Sequence, residues 1–276
     1  MANIKPMIRL MRPINCSIST LSIPIVLITL YGVGIDSSGT ILLTIIGMLI
    51  VFFFTAGGNV LNDYMDRETD EINHPDRPIP SGEVSPKSAL IFSETMFGIG
   101  VILSFLLPLY LPQIIVLSAV TLLVTYELRF KKKGFAGNLM ISGLTGMLFI
   151  FGGSIYGKLF LPVILGVLAF LSSVGREIMK DIQDLKGDLD RNTFPMRVGP
   201  ETAKRTALLF VVFAVALSPF PYILDLLPIS YLGIVIIADT IFIYSLLLLK
   251  SAERTQKFIK LAMVVALVAF LIGGLT

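Results

Sequence analysis

The run "ILLTIIGMLIVFFFTAGG" at residues 41–58 contains no charged side chain. A helix of about 20 apolar residues crosses the hydrocarbon core of a bilayer, and nine stretches of the chain are apolar and long enough to do so. Only 15% of the residues are charged, whereas 55% are hydrophobic. We therefore predict an all-α integral membrane protein. The predicted spans lie near residues 15–34, 40–61, 88–107, 111–127, 136–156, 159–178, 203–222, 228–249 and 257–275.

The basic residues concentrate in alternate connections between these spans. All but one of the 22 Lys and Arg residues lie on the same side of the membrane if the nine spans alternate in direction, and Lys158 is the exception. Because Lys and Arg favour the cytoplasmic side, we expect a cytoplasmic N-terminus and a C-terminus on the opposite side. The net charge of +3 is explained by this orientation and does not indicate nucleic-acid binding.

Two of the connections on the basic side, residues 62–87 and 179–202, are long and rich in acids. Each contains the spacing D-x2-D-x3-D, at Asp63, Asp66 and Asp70 and again at Asp181, Asp184 and Asp188. The pattern follows the second and the sixth span, which suggests that a four-helix unit occurs twice and is followed by a ninth helix. Long connections between closely spaced helices are often functional, and we expect these two to cap a functional site in a single domain of residues 1–276.

The spacing of the acids predicts a charged row on each helix. Positions i, i+3 and i+7 share one face of an α-helix, so three carboxylates would line up if spans two and six continue past the membrane surface. Asn59 and Asn62 would lie close to the first row. Like charges one turn apart repel each other, so a cation must compensate them.

Magnesium fits this requirement, because Mg2+ binds oxygen ligands and is commonly shared between protein carboxylates and substrate phosphates. We therefore interpret the two rows as a cage in which Mg2+ bridges protein acids to a diphosphate. The interleaved basic residues Arg67, Arg77, Lys180 and Lys186 would contact phosphate oxygens. A charged site beside apolar spans suits a substrate with a phosphorylated head and a long hydrocarbon tail.

The acids allow three other interpretations: solvation of helix ends, an EF-hand and a transporter. Single aspartates at a membrane surface often only solvate a helix end, but six in duplicate register are a stronger signal. An EF-hand is excluded because its glycine and its bidentate glutamate are missing. A transporter of a divalent cation or a phosphorylated metabolite would place ionisable groups nearer the bilayer midplane.

These motifs resemble those of the UbiA superfamily of membrane prenyltransferases. Its first motif, N-D-x-x-D-x-x-x-D, is matched by Asn62 and the three acids that follow, and its second by the three later acids. The segments "NHPDRPIPSG" and "GNLMISGLTGMLFIFGG" are also similar to this superfamily. The resemblance implies a nine-helix bundle around a central cavity, in which the aspartate motifs bind Mg2+ and a prenyl diphosphate.

The superfamily also carries a tyrosine and a lysine with the spacing Y-x-x-x-K between the fourth and fifth spans. Here "YELRFKKKG" places Tyr126 five residues before Lys131, and Arg129 and Lys132 are other candidates for the position of the lysine. The resemblance implies that Tyr126 and the basic residue contact the substrate. It also implies that metal ions and basic groups stabilise the diphosphate leaving group as an allylic carbocation forms.

Two segments are most similar to the archaeal branch of the superfamily that makes the second ether bond of membrane lipids. They are "RPINC" at residues 12–16 and "GREIMKDIQDLKGDLDRNTFPMRVG" at residues 175–199. This similarity implies transfer of a geranylgeranyl group to geranylgeranylglyceryl phosphate, and the basic cluster at residues 129–133 is a candidate for binding the acceptor phosphate. The alternatives are an aromatic acceptor of the hydroxybenzoate type, and a cluster that serves only membrane orientation.

Overall fold

A computed structural model describes residues 4–32, 38–131, 133–185 and 192–276, and this part of the chain contains helices but no strands. Nine of its helices are long and apolar enough to cross a membrane, as the hydropathy predicts. In chain order they are α1 (Pro13–Tyr31), α2 (Ser38–Met65), α3 (Pro86–Ser104), α4 (Tyr110–Thr125), α5 (Phe135–Ile155), α6 (Phe160–Asp184), α7 (Pro200–Leu217), α8 (Ile229–Leu247) and α9 (Ala252–Leu275). The chain is a multi-pass membrane protein.

Shorter elements connect the spans within the described residues. A helix over Ile4–Met11 precedes α1, and a helix over Arg67–Asn73 follows α2. Two more, Phe194–Val198 and Phe220–Ile223, flank α7. A π-helical turn over Tyr126–Phe130 extends α4.

The nine helices form a ring. Each contacts the next along the chain, and α9 returns to contact α1 and α6. The hydroxyl of Thr29 on α1 donates to the carbonyl oxygen of Phe270 on α9 at 3.1 Å, which joins the two ends of the ring. Large apolar side chains such as Ile102 and Leu247 remain exposed on the outside, where a bilayer would cover them. The inside of the ring holds the cavities described below.

Helices α5 and α6 approach each other at two glycines. A Cβ atom on Gly146 would lie 2.7 Å from the carbonyl oxygen of Gly166, and one on Gly166 would lie 2.8 Å from the carbonyl oxygen of Gly146. Such small residues allow backbones of membrane helices to approach closely. The contact brings the motif end of α6 beside the start of α5.

The two motif helices extend beyond the predicted spans, and one part of the predicted geometry is wrong. Helix α2 ends at Met65, so the acids of the first motif do not form one row on a single helix. Asp66 lies at the junction, with φ −88° and ψ 1°, and Asp70 belongs to the next short helix. Asp70 still lies close to Asp63 of α2, because Arg77 pairs with both carboxylates. In the second motif α6 includes Asp181 and Asp184, whereas Lys186 and Asp188 lie outside the described residues.

Candidate active site

Both aspartate motifs line one polar cavity of about 430 Å³, at the end of the bundle where α2 and α6 end. The predicted site residues on its wall are Asn62, Asp66, Asp70, Arg77, Tyr126, Lys131, Lys180, Asp181 and Asp184. These residues come from four separate parts of the sequence. The fold therefore joins the two motifs, the loop after the first motif and the extension of α4 in a single site.

Arginines compensate the buried acids of the first motif. Asp63 and Asp70 are each only 4% exposed, and an unpaired charge so deeply buried would be costly. Nη1 of Arg77 lies 2.5 Å from Oδ2 of Asp70 and 3.5 Å from Oδ1 of Asp63. Arg12 forms a second ion pair with Asp63. One guanidinium thus bridges two carboxylates of the motif.

Arg12 reaches this site through an uncommon backbone conformation. Its φ of 53° lies in the left-handed region, which costs a residue other than glycine roughly 1 kcal/mol or more. Its Nη2 atom lies 3.5 Å from Oδ1 of Asn62 and also contacts Asp63. Sequence reasoning used Arg12 only as part of a signature and missed it as a site residue. A basic residue directly before Pro13 at the start of a span was the available signal.

The π-helical turn accounts for the unusual spacing between Tyr126 and Lys131. The backbone N–H of Lys131 donates to the carbonyl oxygen of Tyr126 at 2.8 Å, a bond between residues five apart. Such a turn accommodates one extra residue within a helix. Both side chains consequently line the polar cavity.

Among the residues the structure describes, Lys131 is the only member of its basic cluster that lines the polar cavity or the apolar cavity next to it. Its Nζ atom lies 2.8 Å from Oδ1 of Asp66 and 2.7 Å from Oε2 of Glu127. Arg129 and Lys133 are exposed and contribute to neither cavity wall, and Lys132 lies outside the described residues. The predicted role of this cluster in binding an acceptor phosphate therefore gains no support beyond Lys131.

The second motif has a partner that sequence reasoning missed. Nδ2 of Asn138, near the start of α5, donates to Oδ2 of Asp181 at 2.8 Å. A carboxylate can only accept, so the amide nitrogen must face it. Oδ1 of Asn138 is then left buried and without a hydrogen-bond partner among the described residues. A polar side chain at the end of an apolar span was the signal for it.

Among the described residues, three of the predicted site residues do not line the polar cavity: Asp63, Arg67 and Asn59. Arg67 does not line the polar cavity: its guanidinium lies 4.9 Å from the ring centre of Tyr64 and 3.1 Å from Glu68. Asn59 donates to the carbonyl oxygen of Met11 at 2.8 Å and lines the neighbouring apolar cavity instead.

This second cavity, of about 470 Å³, extends from the polar one into the bundle. Its wall is mostly apolar surface with polar side chains between, contributed by α1, α2 and α4 to α9. The two cavities share wall residues, among them Arg12, Asn62, Tyr126, Glu177 and Lys180. Together they form one chamber with a charged end and an apolar end.

The donor atoms at the charged end fit a hard divalent cation. The residues on its wall supply carboxylate and amide oxygens, including the open Oδ1 of Asn138, and these are ligands that Mg2+ prefers. As the side chains stand, no group of three or more His, Cys, Asp or Glu among the described residues could hold a metal ion. Basic side chains face Asp63, Asp66 and Asp70 instead.

Comparisons with known proteins agree with this architecture. A protein named digeranylgeranylglyceryl phosphate synthase from Methanosphaera stadtmanae is 37% identical to the chain, over 98% of this chain and 99% of its own length. One of the same name from Methanococcoides burtonii is 38% identical, over 98% of this chain and 100% of its own length. A solved structure described as digeranylgeranylglyceryl phosphate synthase superposes with a TM-score of 0.82 at 36% identity, over 100% of this chain and 99% of the other.

A UbiA homologue from Archaeoglobus fulgidus, solved with GPP and Mg2+ bound, shares the fold with a TM-score of 0.70 at 17% identity, over 95% of this chain and 99% of its own. The model of the UbiA prenyltransferase family matches residues 21–271. The chain therefore belongs to the UbiA prenyltransferase family and is a membrane-embedded prenyltransferase.

Proposed function

We propose that this prenyltransferase moves a geranylgeranyl group from its diphosphate to the hydroxyl of geranylgeranylglyceryl phosphate, in the synthesis of archaeal ether lipids. The observation that carries the proposal is the single chamber in which both aspartate motifs line one end and apolar side chains line the other. That division matches a substrate with a diphosphate head and a hydrocarbon tail. The relatives at 37% and 38% identity, by their names, support the acceptor.

The diphosphate would bind at the polar end, where Mg2+ supplies positive charge for the leaving group. The candidate metal ligands are Asn62, Asp63, Asp66, Asp70, Asp181, Asp184 and Asp188, with Oδ1 of Asn138 as a further oxygen. These same six carboxylates are the proposed catalytic groups. In the structure Arg77 and Lys131 balance three of them, so each would exchange its carboxylate partner for a phosphate oxygen when substrate binds.

The bond between the allylic carbon and the diphosphate oxygen would break at the junction of the two cavities. Tyr126 lines both cavities there, and the face of an aromatic ring stabilises a nearby cation. The acceptor oxygen would form the new ether bond with this carbon, and its proton would pass to the released diphosphate. The apolar walls around the tail exclude water, which favours the intended acceptor over hydrolysis.

The orientation and the cap belong to the same proposal. The basic residues concentrate at the end that carries the motifs, so the site would face the cytoplasm. Residues 62–87 would then cover the polar cavity from that side, since Asp70 and Arg77 lie on its wall. The second cap segment, residues 179–202, lies partly outside the described residues.

The test is an assay of the purified protein with labelled geranylgeranyl diphosphate, Mg2+ and a panel of acceptors. We expect diphosphate release and an ether-lipid product with geranylgeranylglyceryl phosphate, and loss of both in Asp66→Asn and Asp181→Asn. Efficient product formation with a hydroxybenzoate instead would establish an aromatic acceptor. Wild-type activity in both variants, or no Mg2+-dependent product with any acceptor, would refute the proposal.

A further inference from the structure

A second group of basic side chains lines the chamber away from the first motif. Arg176 and Lys180 on α6 and Lys260 on α9 belong to the wall of the apolar cavity. Cations that serve only membrane orientation can face bulk water. Arg176 is partly buried and Lys180 and Lys260 are exposed, but all three also border the apolar cavity.

The register between α6 and α9 places these cations near one another. Nε2 of Gln256 on α9 donates to Oε1 of Gln183 on α6 at 3.3 Å. The two helices run in opposite directions, so one turn inward from this contact leads to Lys180 on α6 and to Lys260 on α9. Arg176 lies a further turn inward on α6.

Arg176 has hydrogen-bonding capacity left over. One of its terminal nitrogens, Nη1, donates to Oε1 of Glu177, which also lines the chamber. Its Nε atom is buried and has no partner among the described residues. A buried donor without a partner is costly, so this guanidinium has an unmet demand for a hydrogen-bond acceptor. Glu177 offsets only one of the three positive charges of Arg176, Lys180 and Lys260. Asp239, deeper in the cavity, accepts a hydrogen bond from the hydroxyl of Ser218 at 2.6 Å.

We propose that Arg176 and Lys260 form a second anion site, which binds the phosphate of the acceptor while its hydrocarbon chain occupies the apolar cavity. This inference rests on the proposed function. Lys180 lines both cavities and separates this site from the diphosphate end. The donor and the acceptor are thereby held by different cations, with the acceptor hydroxyl directed to the junction where the allylic carbon lies.

The test compares Arg176→Gln and Lys260→Gln with Lys257→Gln, in phosphatidylcholine vesicles. Lys257 is a matched control because it lies on the same helix as Lys260, lines neither cavity, and pairs with Glu253. Loss of a charge-assisted hydrogen bond should raise the KM for geranylgeranylglyceryl phosphate about 10- to 100-fold. The KM for geranylgeranyl diphosphate should stay unchanged, and the control should behave like wild type.

A substrate without the phosphate sharpens the test. The same geranylgeranylglycerol ether lacking its phosphate should react equally well with wild type and both variants. An unchanged KM for the phosphorylated acceptor, or an equal rise in the KM of donor and acceptor, would overturn the proposal. If adding phosphatidylglycerol to the vesicles changes the wild-type rate, and the variants lose only that response, the cations bind a bilayer lipid and the proposal also fails.

Binding measured without the donor keeps this inference separate from the proposed function. Cys16 is the single cysteine and is buried, so a thiol-reactive dye reports thermal unfolding. Geranylgeranylglyceryl phosphate should raise the unfolding temperature of wild type and Lys257→Gln more than that of Lys260→Gln. Equal stabilisation of all three proteins overturns the second anion site, whether or not prenyl transfer is detected. Absence of prenyl transfer, by contrast, refutes the proposed function and leaves this binding result to be judged separately.

Discussion

Arg77 is expected to substitute for metal charge in the absence of Mg2+, and Arg77→Gln tests this role. Its guanidinium bridges Asp63 and Asp70, whose side chains are each 6% exposed. An ion pair at about 4 Å is worth up to about 4 kcal/mol at the effective dielectric of a protein surface. The Arg77 side chain is 32% exposed, and Arg12 continues to pair with Asp63, so water and the second arginine reduce the loss. We expect a destabilisation of about 2 kcal/mol without metal.

The assay is thermal unfolding followed with a thiol-reactive dye on Cys16, in EDTA and in Mg2+. A loss of about 2 kcal/mol corresponds to a fall of about 4–8 °C in the unfolding temperature of a chain this size. Added Mg2+ should narrow the gap, because it must displace Arg77 from the carboxylates in wild type but not in the variant, and it therefore binds and stabilises the folded variant more. Arg67→Gln is the matched control, since Arg67 belongs to the same connection but contacts Tyr64 and Glu68. A gap of the same size with and without Mg2+ would refute the reasoning.

Three further changes test separate parts of the structure. Asn138→Leu removes the open oxygen at nearly constant volume and should raise the Mg2+ concentration for half-maximal thermal stabilisation about tenfold; an unchanged Mg2+ titration would exclude Asn138 as a ligand. Deleting Leu128 should convert the π-helical turn into α-helix and preserve most diphosphate release. Deleting Leu117 in the regular part of α4 should abolish diphosphate release, and an equal loss of release in both deletions would contradict the role of the turn. Gly146→Val should lower stability by about 1–3 kcal/mol, because its side chain meets the backbone of the facing helix, while Gly143→Val, with nothing within 4 Å of its Cβ position, should be nearly neutral in the same unfolding assay.

Hydropathy predicts the number of spans because the apolar requirement of a bilayer is local in sequence. The same signal places the ends of α2 and α6 too early, since both helices continue into polar sequence that hydropathy cannot assign. The predicted row of three acids failed for a related reason. Spacing assumes an unbroken helix, whereas the structure interrupts the helix at Asp66, whose side chain pairs with Lys131 far along the chain.

The site shows the same division between local and distant information. The aspartate motifs were recognisable by themselves, and the structure brings every described acid of the motifs except Asp63 to the wall of one cavity. Sequence alone could not distinguish Arg77, which bridges two carboxylates, from Arg67, which does not, because both are basic residues near the first motif. Asn138 was missed because its role depends on the approach of α5 to α6, and a single polar residue in a span carries no information about its partner.

The π-helical turn at Tyr126–Phe130 has a consequence for how such chains change over time. Each residue added to a regular helix rotates all later side chains by about 100°, which would exchange cavity-facing and lipid-facing positions. The turn lies at the end of α4 and takes up the added residue there, so Tyr126 and Lys131 both line the polar cavity. The angular position of a tyrosine and a lysine can therefore persist while the number of residues between them varies, and a motif defined by counting would overlook members that differ here by one residue.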